Sequence, residues 1–348
     1  MTRRSTDEAR PPEPVWRGVQ RCVDEYIGIK PGQRIGIVAA ATESKPARWL
    51  RLAAQEAGAE IVGDEELSHL TLYQVLESAD TIVFVDGQHS RNGSEVVDAL
   101  ATGKISADIF RLFDAGPEVF ELCFAVPASY LRELNRRIIA LGVSTRAARV
   151  TSEGGTDLEI GFETRFGWID SCGRYDGRRP GVLPPSEVAT FSLSVNGVFF
   201  ADGSLNTNFA FPHDPRLEAY PVRVEIEDSV IQTVHCENPF IDAVVGGFVA
   251  EGAGSRVGEV GFGTNTGIRR FVPFTSHINE RYPALHIGLG SQNQGDRVGW
   301  NYPLHLDLIA NNCSIMFDET VVMEQGRYVI GHVPDPQRAP ETGYVDTV

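Results

Sequence analysis

The stretch Arg34-Ile35-Gly36-Ile37-Val38-Ala39-Ala40 is a short apolar run, and the turn signal Lys30-Pro31-Gly32 precedes it. These two features together predict a buried β-strand. The residues that follow, from about Lys45 to Ala57, repeat apolar side chains at helical spacing. A strand followed directly by a helix is the unit from which parallel sheets are built.

The alternation of strand-like and helix-like segments continues along the chain. It predicts a strand at 60–62, a helix around 70–78, a strand at 81–85 and a helix at 94–101. Alternating elements of these lengths indicate a parallel sheet flanked by helices. We therefore predict an α/β domain with an open, mostly parallel sheet at 15–146, behind a flexible arm at 1–14.

After residue 146 the helical spacing gives way to alternating polar and apolar residues, with dense glycine between them. Alternation of this kind is typical of half-buried strands. The alternating segments are 156–160, 190–195, 222–226, 258–263, 286–289 and 304–309. We therefore predict a second, mainly β (α+β) domain at 147–332, followed by a loose tail at 333–348.

Composition and charge exclude several classes of partner. The 348 residues include 31 Lys and Arg against 47 Asp and Glu, a net charge of −16. Binding to nucleic acid or to an anionic membrane depends on clustered basic residues, so we expect neither partner. No apolar run is long enough to span a bilayer. Five cysteines without a CxxC pair are typical of reduced thiols, which predicts a cytoplasmic protein.

The sharpest chemical signal is Leu304-His305-Leu306-Asp307-Leu308-Ile309. Residues two apart on a strand point to the same face, so His305 and Asp307 project together while large apolar residues occupy the other face. An imidazole and a carboxylate on one face make half of a site for a divalent metal. A surface strand with a polar outer face would show the same pattern.

Three further segments could supply ligands to the same site. His286 stands among apolar residues and glycines, and a buried histidine needs a polar partner. Glu259 lies between glycines, and Glu187 follows a proline pair. A core histidine bonded to a carbonyl and a tight turn are the simpler interpretations of the first two. Together with His305 and Asp307, these three residues make five possible ligands. Five ligands could hold two divalent cations that activate water.

The order of these segments resembles the M29 family of metallo-aminopeptidases (aminopeptidase T type) over most of the chain. The matching segments are Gly155-Thr156-Asp157-Leu158, Pro185-Ser186-Glu187-Val188, Gly258 to Asn265, His286 to Gly290, and His305-Leu306-Asp307. The resemblance implies a metallohydrolase in which a metal-activated water attacks an amide or peptide carbonyl. It also implies a site of two zinc, cobalt or manganese ions. The implied metal ligands are Glu187, Glu259, His286, His305 and Asp307.

The same resemblance suggests the catalytic carboxylates. Glu280, six residues before His286, matches a further acidic residue of the family and is the candidate general base. Glu259 is the second candidate catalytic residue, as a bridging ligand. Ser186 stands where the family usually has glycine, and the segment 291–294 lacks a tyrosine that the family usually carries. The C-terminal region 147–332 is therefore predicted to be the metal-binding catalytic domain.

Four residues near these motifs are candidates for substrate binding. Arg269 and Arg281 could hold a substrate carboxylate through bidentate hydrogen bonds, although solvated surface charge is the more common explanation for such residues. Trp300 and Tyr302 could line the pocket beside His305, or they could be packing residues. The expected partner is a peptide or a small-molecule substrate. Relatives of this kind form homo-oligomers, so we also expect a dimer or a larger assembly.

A second resemblance leaves the chemistry open. The 2,5-dihydroxypyridine 5,6-dioxygenases are similar in fold and length and use one Fe(II) held by two histidines and one aspartate. This chain could supply that set from His286, His305 and Asp307, which is the usual arrangement for non-haem iron. Glu259 would then act as a base beside the iron or as a further ligand. A catalytically silent relative that binds peptides or small molecules is the third alternative.

Overall fold

The computed structural model describes residues 10–39, 44–63, 75, 77–86, 106–174 and 180–330. Its α-helices are α1 Glu13–Arg21, α2 Lys45–Glu56, α3 Ala128–Ser144, α4 Pro239–Ala250 and α5 His277–Arg281, with π-helical turns at Cys22–Ile27 and Val119–Cys123 and a 3₁₀ turn at Gly295–Arg297. Helix α1 begins inside the predicted arm. The predicted helix at 94–101, most of the helix at 70–78 and the tail at 333–348 lie outside the described residues.

Strands alternate with these helices early in the chain and dominate it later. They are β1 Arg34–Ala39, β2 Glu60–Ile61, β3 Thr81–Asp86, β4 Asp108–Phe113, β5 Ala147–Thr151, β6 Asp157–Gly161, β7 Ile169–Asp170, β8 Gly181–Leu183, β9 Glu187–Thr190, β10 Ser194–Ala201, β11 Ser204–Thr207, β12 Val222–Glu227, β13 Val230–Cys236, β14 Val257–Gly263, β15 Leu285–Gly290, β16 His305–Ile309, β17 Ser314–Phe317, β18 Thr320–Glu324 and β19 Arg327–Tyr328. The early alternation and the later run of strands both agree with the sequence pattern.

The first sheet is parallel throughout, in the order β2-β1-β3-β4-β8. Strand β1 coincides with the apolar run that predicted it, and Ile35 in it is fully buried. The predicted parallel sheet is therefore confirmed. Its fifth strand, Gly181–Leu183, comes from beyond residue 146, where the two predicted domains meet. The division of the chain into those domains stays a prediction.

Two further sheets are antiparallel. One has eight strands in the order β13-β12-β10-β6-β5-β17-β18-β19, and the other has six in the order β11-β16-β15-β14-β9-β7. Apolar side chains from both sheets, such as Phe199 and Leu308, share one buried core. The protein is therefore a mixed α/β fold in which a parallel sheet accompanies antiparallel sheets.

The predicted strand at 190–195 is wrong as a single element. Strand β9 ends at Thr190 in the six-stranded sheet, and β10 begins at Ser194 in the eight-stranded sheet. Between them, the hydroxyl of Ser192 accepts a hydrogen bond from the backbone N–H of Ser194 at 2.9 Å. This local bond makes a tight turn that competes with continued strand pairing.

The parallel sheet and the six-stranded sheet meet where β8 runs into β9. Strand β8 ends at Leu183, and only three residues separate it from Glu187, the first residue of β9. The peptide bonds Leu183–Pro184 and Pro185–Ser186 are cis. In parallel sheets, ligands usually bind beyond the carboxyl ends of the strands. The junction therefore brings that edge of the parallel sheet to the antiparallel sheet that carries the predicted ligands.

Helix α5 lies between the parallel sheet and the six-stranded antiparallel sheet. Its Ile278 is fully buried in the apolar cluster around the parallel sheet, together with Leu183 and Ile268. Among the described residues, no helix has the length and apolarity needed to cross a bilayer.

Gly18 of α1 allows close packing against the backbone of the π-helical turn Val119–Cys123. A Cβ atom at this position would lie 1.8 Å from the carbonyl oxygen of Phe120. Alanine favours a helix over glycine by about 1 kcal/mol. We expect Gly18→Ala nevertheless to lower the free energy of unfolding by about 1–3 kcal/mol, because the clash is with backbone. Urea denaturation measures this change.

Gly247 of α4 is the matched control, since a Cβ atom there would meet nothing within 4 Å. Gly247→Ala should raise the free energy of unfolding by up to about 1 kcal/mol. Equal effects of the two substitutions would contradict the close packing of α1.

Candidate metal centre

The predicted metal ligands lie on neighbouring strands of the six-stranded sheet. Residues directly opposite each other in antiparallel strands carry their side chains on the same side of the sheet. The opposed pairs are Glu187 with Gly263, Gly261 with His286, Glu259 with Gly288, Gly288 with Asp307, and Gly290 with His305. Since residues two apart on a strand also share a face, all five predicted ligands lie on one face together with four glycines.

The glycines leave the space that the ligand side chains occupy. A Cβ atom at Gly261 would lie 1.9 Å from Nε2 of His286, and one at Gly288 would lie 2.7 Å from Cε1 of His305. Both distances are too short for non-bonded atoms, so a larger residue would displace the imidazole. The residues between the glycines, such as Val260, are fully buried in the core on the other face.

Four carboxylates and one imidazole form two overlapping groups of candidate ligands. Glu187, Glu259 and His286 make the first group, and Glu280, His286 and Asp307 make the second. In each group, one ligand atom from every residue lies within 4.8 Å of the others. His286 Nε2 is 2.9 Å from Oε1 of Glu187 and 3.8 Å from Oε1 of Glu259. Zinc ligands lie about 2 Å from the metal, so a small inward shift would bring either group onto one ion.

His305 and Asp307 project together, as their spacing on the strand predicts. His305 Nε2 lies 2.8 Å from Oδ1 of Asp307, and Nδ1 lies 3.2 Å from the carbonyl oxygen of Ser291. Burial would lower the pKa of His305, but the carboxylate of Asp307 raises that pKa to about 10. His305 is outside both groups, so its role as a metal ligand stays a prediction.

Arg281 binds the carboxylates of its own chain. Its side chain is only 5% exposed, and Nη1 is hydrogen-bonded to Oε2 of Glu187 and lies 3.6 Å from Oε1 of Glu280. Its Nε donates a hydrogen bond of 3.4 Å to the carbonyl oxygen of Pro184. These bonds hold the guanidinium inside the centre, which leaves little of it for the substrate carboxylate that the sequence suggested.

The other predicted substrate-binding residues are exposed or pack against aromatic rings. Arg269 is exposed on the surface. Trp300 packs against Phe191, with ring centroids 6.4 Å apart. Tyr302 packs edge-to-face on Phe248 at 5.9 Å. These contacts agree with the packing interpretation of the two aromatic residues, and their role toward a substrate stays a prediction.

Opposite charges inside the centre determine its protonation. Burial alone would raise the pKa of Glu187, but Arg281 and His286 hold that pKa well below its usual range. Burial alone would lower the pKa of His286, but Glu187 and Glu259 hold that pKa well above its usual range. These pairings favour the ionised form of Glu187, and a cation bound by His286 would take the place of the proton on its imidazole.

Glu280 and Glu259 behave differently from Glu187, because burial outweighs their attractive partners. Burial raises the pKa of Glu280 to about 7, although Arg281 and His277 act to lower it. Burial and the nearby carboxylate of Glu187 raise the pKa of Glu259. A carboxyl group with a raised pKa exchanges protons more readily near neutral pH, which suits acid–base chemistry.

Two buried polar atoms of the centre have no hydrogen-bond partner among the described residues. They are Nδ1 of His286 and Oδ2 of Asp307. Buried polar atoms without partners are rare in folded proteins and cost free energy, so each calls for an explanation. Both residues belong to the group that contains Glu280, and His286 belongs to the other group as well. A divalent cation bound there would satisfy such atoms, and the nitrogen and oxygen donors suit zinc or manganese.

Asn135 is a residue of the centre that the sequence did not reveal. This fully buried side chain of α3 accepts a hydrogen bond of 2.8 Å from the hydroxyl of Ser186 and one of 2.5 Å from that of Thr264. Its amide donates to the backbone carbonyl of Glu187 at 3.1 Å and to Oδ1 of Asp170 at 2.7 Å. Asn135 therefore holds the junction that positions Glu187. The one feature of the sequence that could have indicated its role is that a polar amide occupies the apolar stripe of a helix.

His277 is a second residue that no sequence pattern singles out. Its Nε2 lies 3.6 Å from Oε1 of Glu280, and its Nδ1 lies 3.7 Å from Oδ2 of Asp114. The ring stacks on Phe113 with centroids 4.5 Å apart, and the hydroxyl of Ser276 donates to Asp114. Because Asp114 directly follows β4, this contact joins the carboxyl edge of the parallel sheet to the candidate centre.

Two solved structures resemble this fold over almost the whole chain. The 2,5-dihydroxypyridine dioxygenase of Pseudomonas putida KT2440 is 17% identical, with a TM-score of 0.66, over 92% of this chain and 99% of its own. Wild-type AmpT from Thermus thermophilus is 18% identical, with a TM-score of 0.60, over 91% of this chain and 99% of its own. At such identities the similarity shows a fold shared with both proteins, and it does not choose between their activities.

A local sequence similarity covers part of the centre. The family described as crocagin biosynthetic protein CgnE/B matches residues 215–318. This segment contains Glu259, Glu280, His286 and Asp307, but it is less than half of the chain. The curated proteins contain no match.

Replacing Asn135 tests the junction that holds Glu187. We expect Asn135→Ala to lower the free energy of unfolding by about 3 kcal/mol, because buried hydrogen-bonding groups lose their partner. Urea denaturation measures the change. Asn301 is exposed, so Asn301→Ala is the control and should change stability by less than about 0.5 kcal/mol. Similar losses in both variants would refute the structural role of Asn135.

Proposed function

We propose that this chain is a metal-dependent hydrolase in which a metal-activated water attacks an amide or peptide carbonyl. The observation that carries the proposal is the buried group Glu280, His286 and Asp307, in which two polar atoms lack a hydrogen-bond partner among the described residues. Uncompensated buried carboxylates are costly, and a bound cation is a common reason for gathering them. The solved structures of similar fold are enzymes, which also supports an enzymatic role.

Glu280, His286 and Asp307 would hold the cation. When bound, a divalent cation lowers the pKa of a coordinated water and polarises a substrate carbonyl. His305 would orient Asp307 through their 2.8 Å hydrogen bond. The proposal includes a peptide or small-molecule substrate and a homo-oligomeric assembly. It also includes the identity of the metal as zinc, cobalt or manganese.

Glu259 is the best-placed general base in this arrangement. Its side chain is 16% exposed, against 7% for Glu187 and 10% for Glu280, so it is the most accessible of these three glutamates. Glu280, the candidate base from the sequence, lies within the ligand group instead. Glu259 would accept the proton of the attacking water and return it to the leaving amine.

The number of carboxylates favours a hydrolase over an iron oxygenase. The usual non-haem iron site uses two histidines and one carboxylate, whereas four carboxylates surround His286 here. The additional carboxylates have a clear use as proton acceptors in hydrolysis.

His286→Gln tests the metal centre, because this imidazole is shared by both groups of candidate ligands. We expect the full-length variant to lose bound zinc and the hydrolysis of aminoacyl coumarin amides. Plasma mass spectrometry after reconstitution measures the metal, and fluorescence measures hydrolysis. His235 is exposed, so His235→Gln is the matched control and should keep both. Unchanged metal content in His286→Gln would overturn the assignment.

A mononuclear iron oxygenase is the second candidate, because His286, His305 and Asp307 share one face of the sheet. The protein reconstituted with Fe(II) would then consume oxygen when given a dihydroxylated pyridine. Under our proposal we expect no oxygen uptake above a metal-free sample. An oxygen electrode measures this directly, and substrate-dependent uptake would replace the hydrolase with the oxygenase.

A further inference from the structure

Arg281 is a buried cation in the middle of the candidate metal centre. Its guanidinium is hydrogen-bonded to Glu187 and lies 3.6 Å from Oε1 of Glu280. Burial would lower the pKa of Arg281, but the carboxylates raise it, so the side chain stays charged. The carboxylates that act on it are those of Glu187, Glu280, Glu259 and Asp307.

The two groups of candidate ligands differ in how far their atoms are already satisfied. Both carboxylate oxygens of Glu187 have partners, since Oε1 faces His286 and Oε2 faces Arg281. In the other group, Oδ2 of Asp307 and Nδ1 of His286 have no hydrogen-bond partner among the described residues. The guanidinium therefore satisfies Glu187 and lies 3.6 Å from Oε1 of Glu280, whereas the unpartnered oxygen is on Asp307, which belongs only to the second group.

We propose that Arg281 takes the place of one of the two metal ions that the full ligand set could hold, so that the centre binds one divalent cation per chain. This inference rests on the proposed metal centre. It assigns the cation to Glu280, His286 and Asp307 and assigns Glu187 to Arg281. Removing the guanidinium should accordingly free Glu187 to bind a second cation together with Glu259.

The test is the number of Mn²⁺ ions bound per full-length chain, measured by equilibrium dialysis with plasma mass spectrometry. We expect one ion in the wild type and two in Arg281→Met. Arg281→Lys keeps the positive charge and should bind one ion. Arg17 is 73% exposed on α1, so Arg17→Met is the control and should also bind one.

Stability provides a second measurement. Arg281→Met breaks a buried ion pair, which should lower the temperature of unfolding in the absence of metal. A ligand that binds only the folded state stabilises it, and two bound ions stabilise it more than one. Saturating Mn²⁺ should therefore raise the unfolding temperature of Arg281→Met more than that of the wild type or of Arg281→Lys.

The outcomes separate this inference from the proposed function. Two ions in the wild type, or one ion in a folded Arg281→Met variant, would overturn the role of Arg281 and leave the metal centre intact. No ion in the wild type but one in Arg281→Met would overturn the proposed function and also the inference that the wild-type centre binds one ion. No ion in either folded protein would overturn both.

If Arg281→Met does not fold, a crystal structure of the wild type soaked in Mn²⁺ tests the inference instead. A single anomalous peak beside Asp307, with Arg281 still bonded to Glu187, supports the inference. A peak between Glu187 and Glu259 overturns it.

Discussion

Balancing four carboxylates gathered in a largely buried cluster is the constraint on which this structure depends. Glu187, Glu259, Glu280 and Asp307 converge on one face of a sheet whose other face is core, so water cannot screen them fully. Carboxylates in such a place must be paired, protonated or bound to a cation. The protein uses pairing where Arg281 reaches Glu187, and the raised pKa of Glu280 indicates that pairing is incomplete there. This uneven balance is the physical basis of the proposed cation site.

The sheet can gather these groups only because glycine alternates with the ligands. Each imidazole lies across a neighbouring strand, and Gly261 and Gly288 supply the room that any Cβ atom would fill. Glycine weakens a strand, because it has no side chain to pack and more conformational freedom to lose. The large apolar residues on the opposite face, such as Leu308 and Ile287, offset that weakness by filling the core. The same strands therefore carry the candidate site on one face and the apolar core that stabilises them on the other.

The sequence was sufficient for features that depend on local periodicity. The run at 34–40 predicted β1 because its apolar pattern extends over a whole strand, and the spacing of His305 and Asp307 predicted their shared direction. It was not sufficient for contacts between distant elements. Asn135 looks like any polar residue in a helix until α3 is packed against the start of β9. Arg281 looked available for a substrate because nothing local indicates that it lies against Glu187.

The junction between the two kinds of sheet explains why the fold alone leaves the chemistry open. Asp114 follows a strand of the parallel sheet, and the last strand of that sheet leads into Glu187. The imidazoles of His286 and His305 lie on strands of the antiparallel sheet. Proteins that share this frame can keep the same backbone and change only which charges meet at the junction, since function resides in the site. A guanidinium at Arg281 or a second metal ion would balance the same carboxylates with different reactivity. The decisive feature of this chain is thus the identity of the cation beside Glu187, and its sheets serve to bring that cation and the carboxylates together.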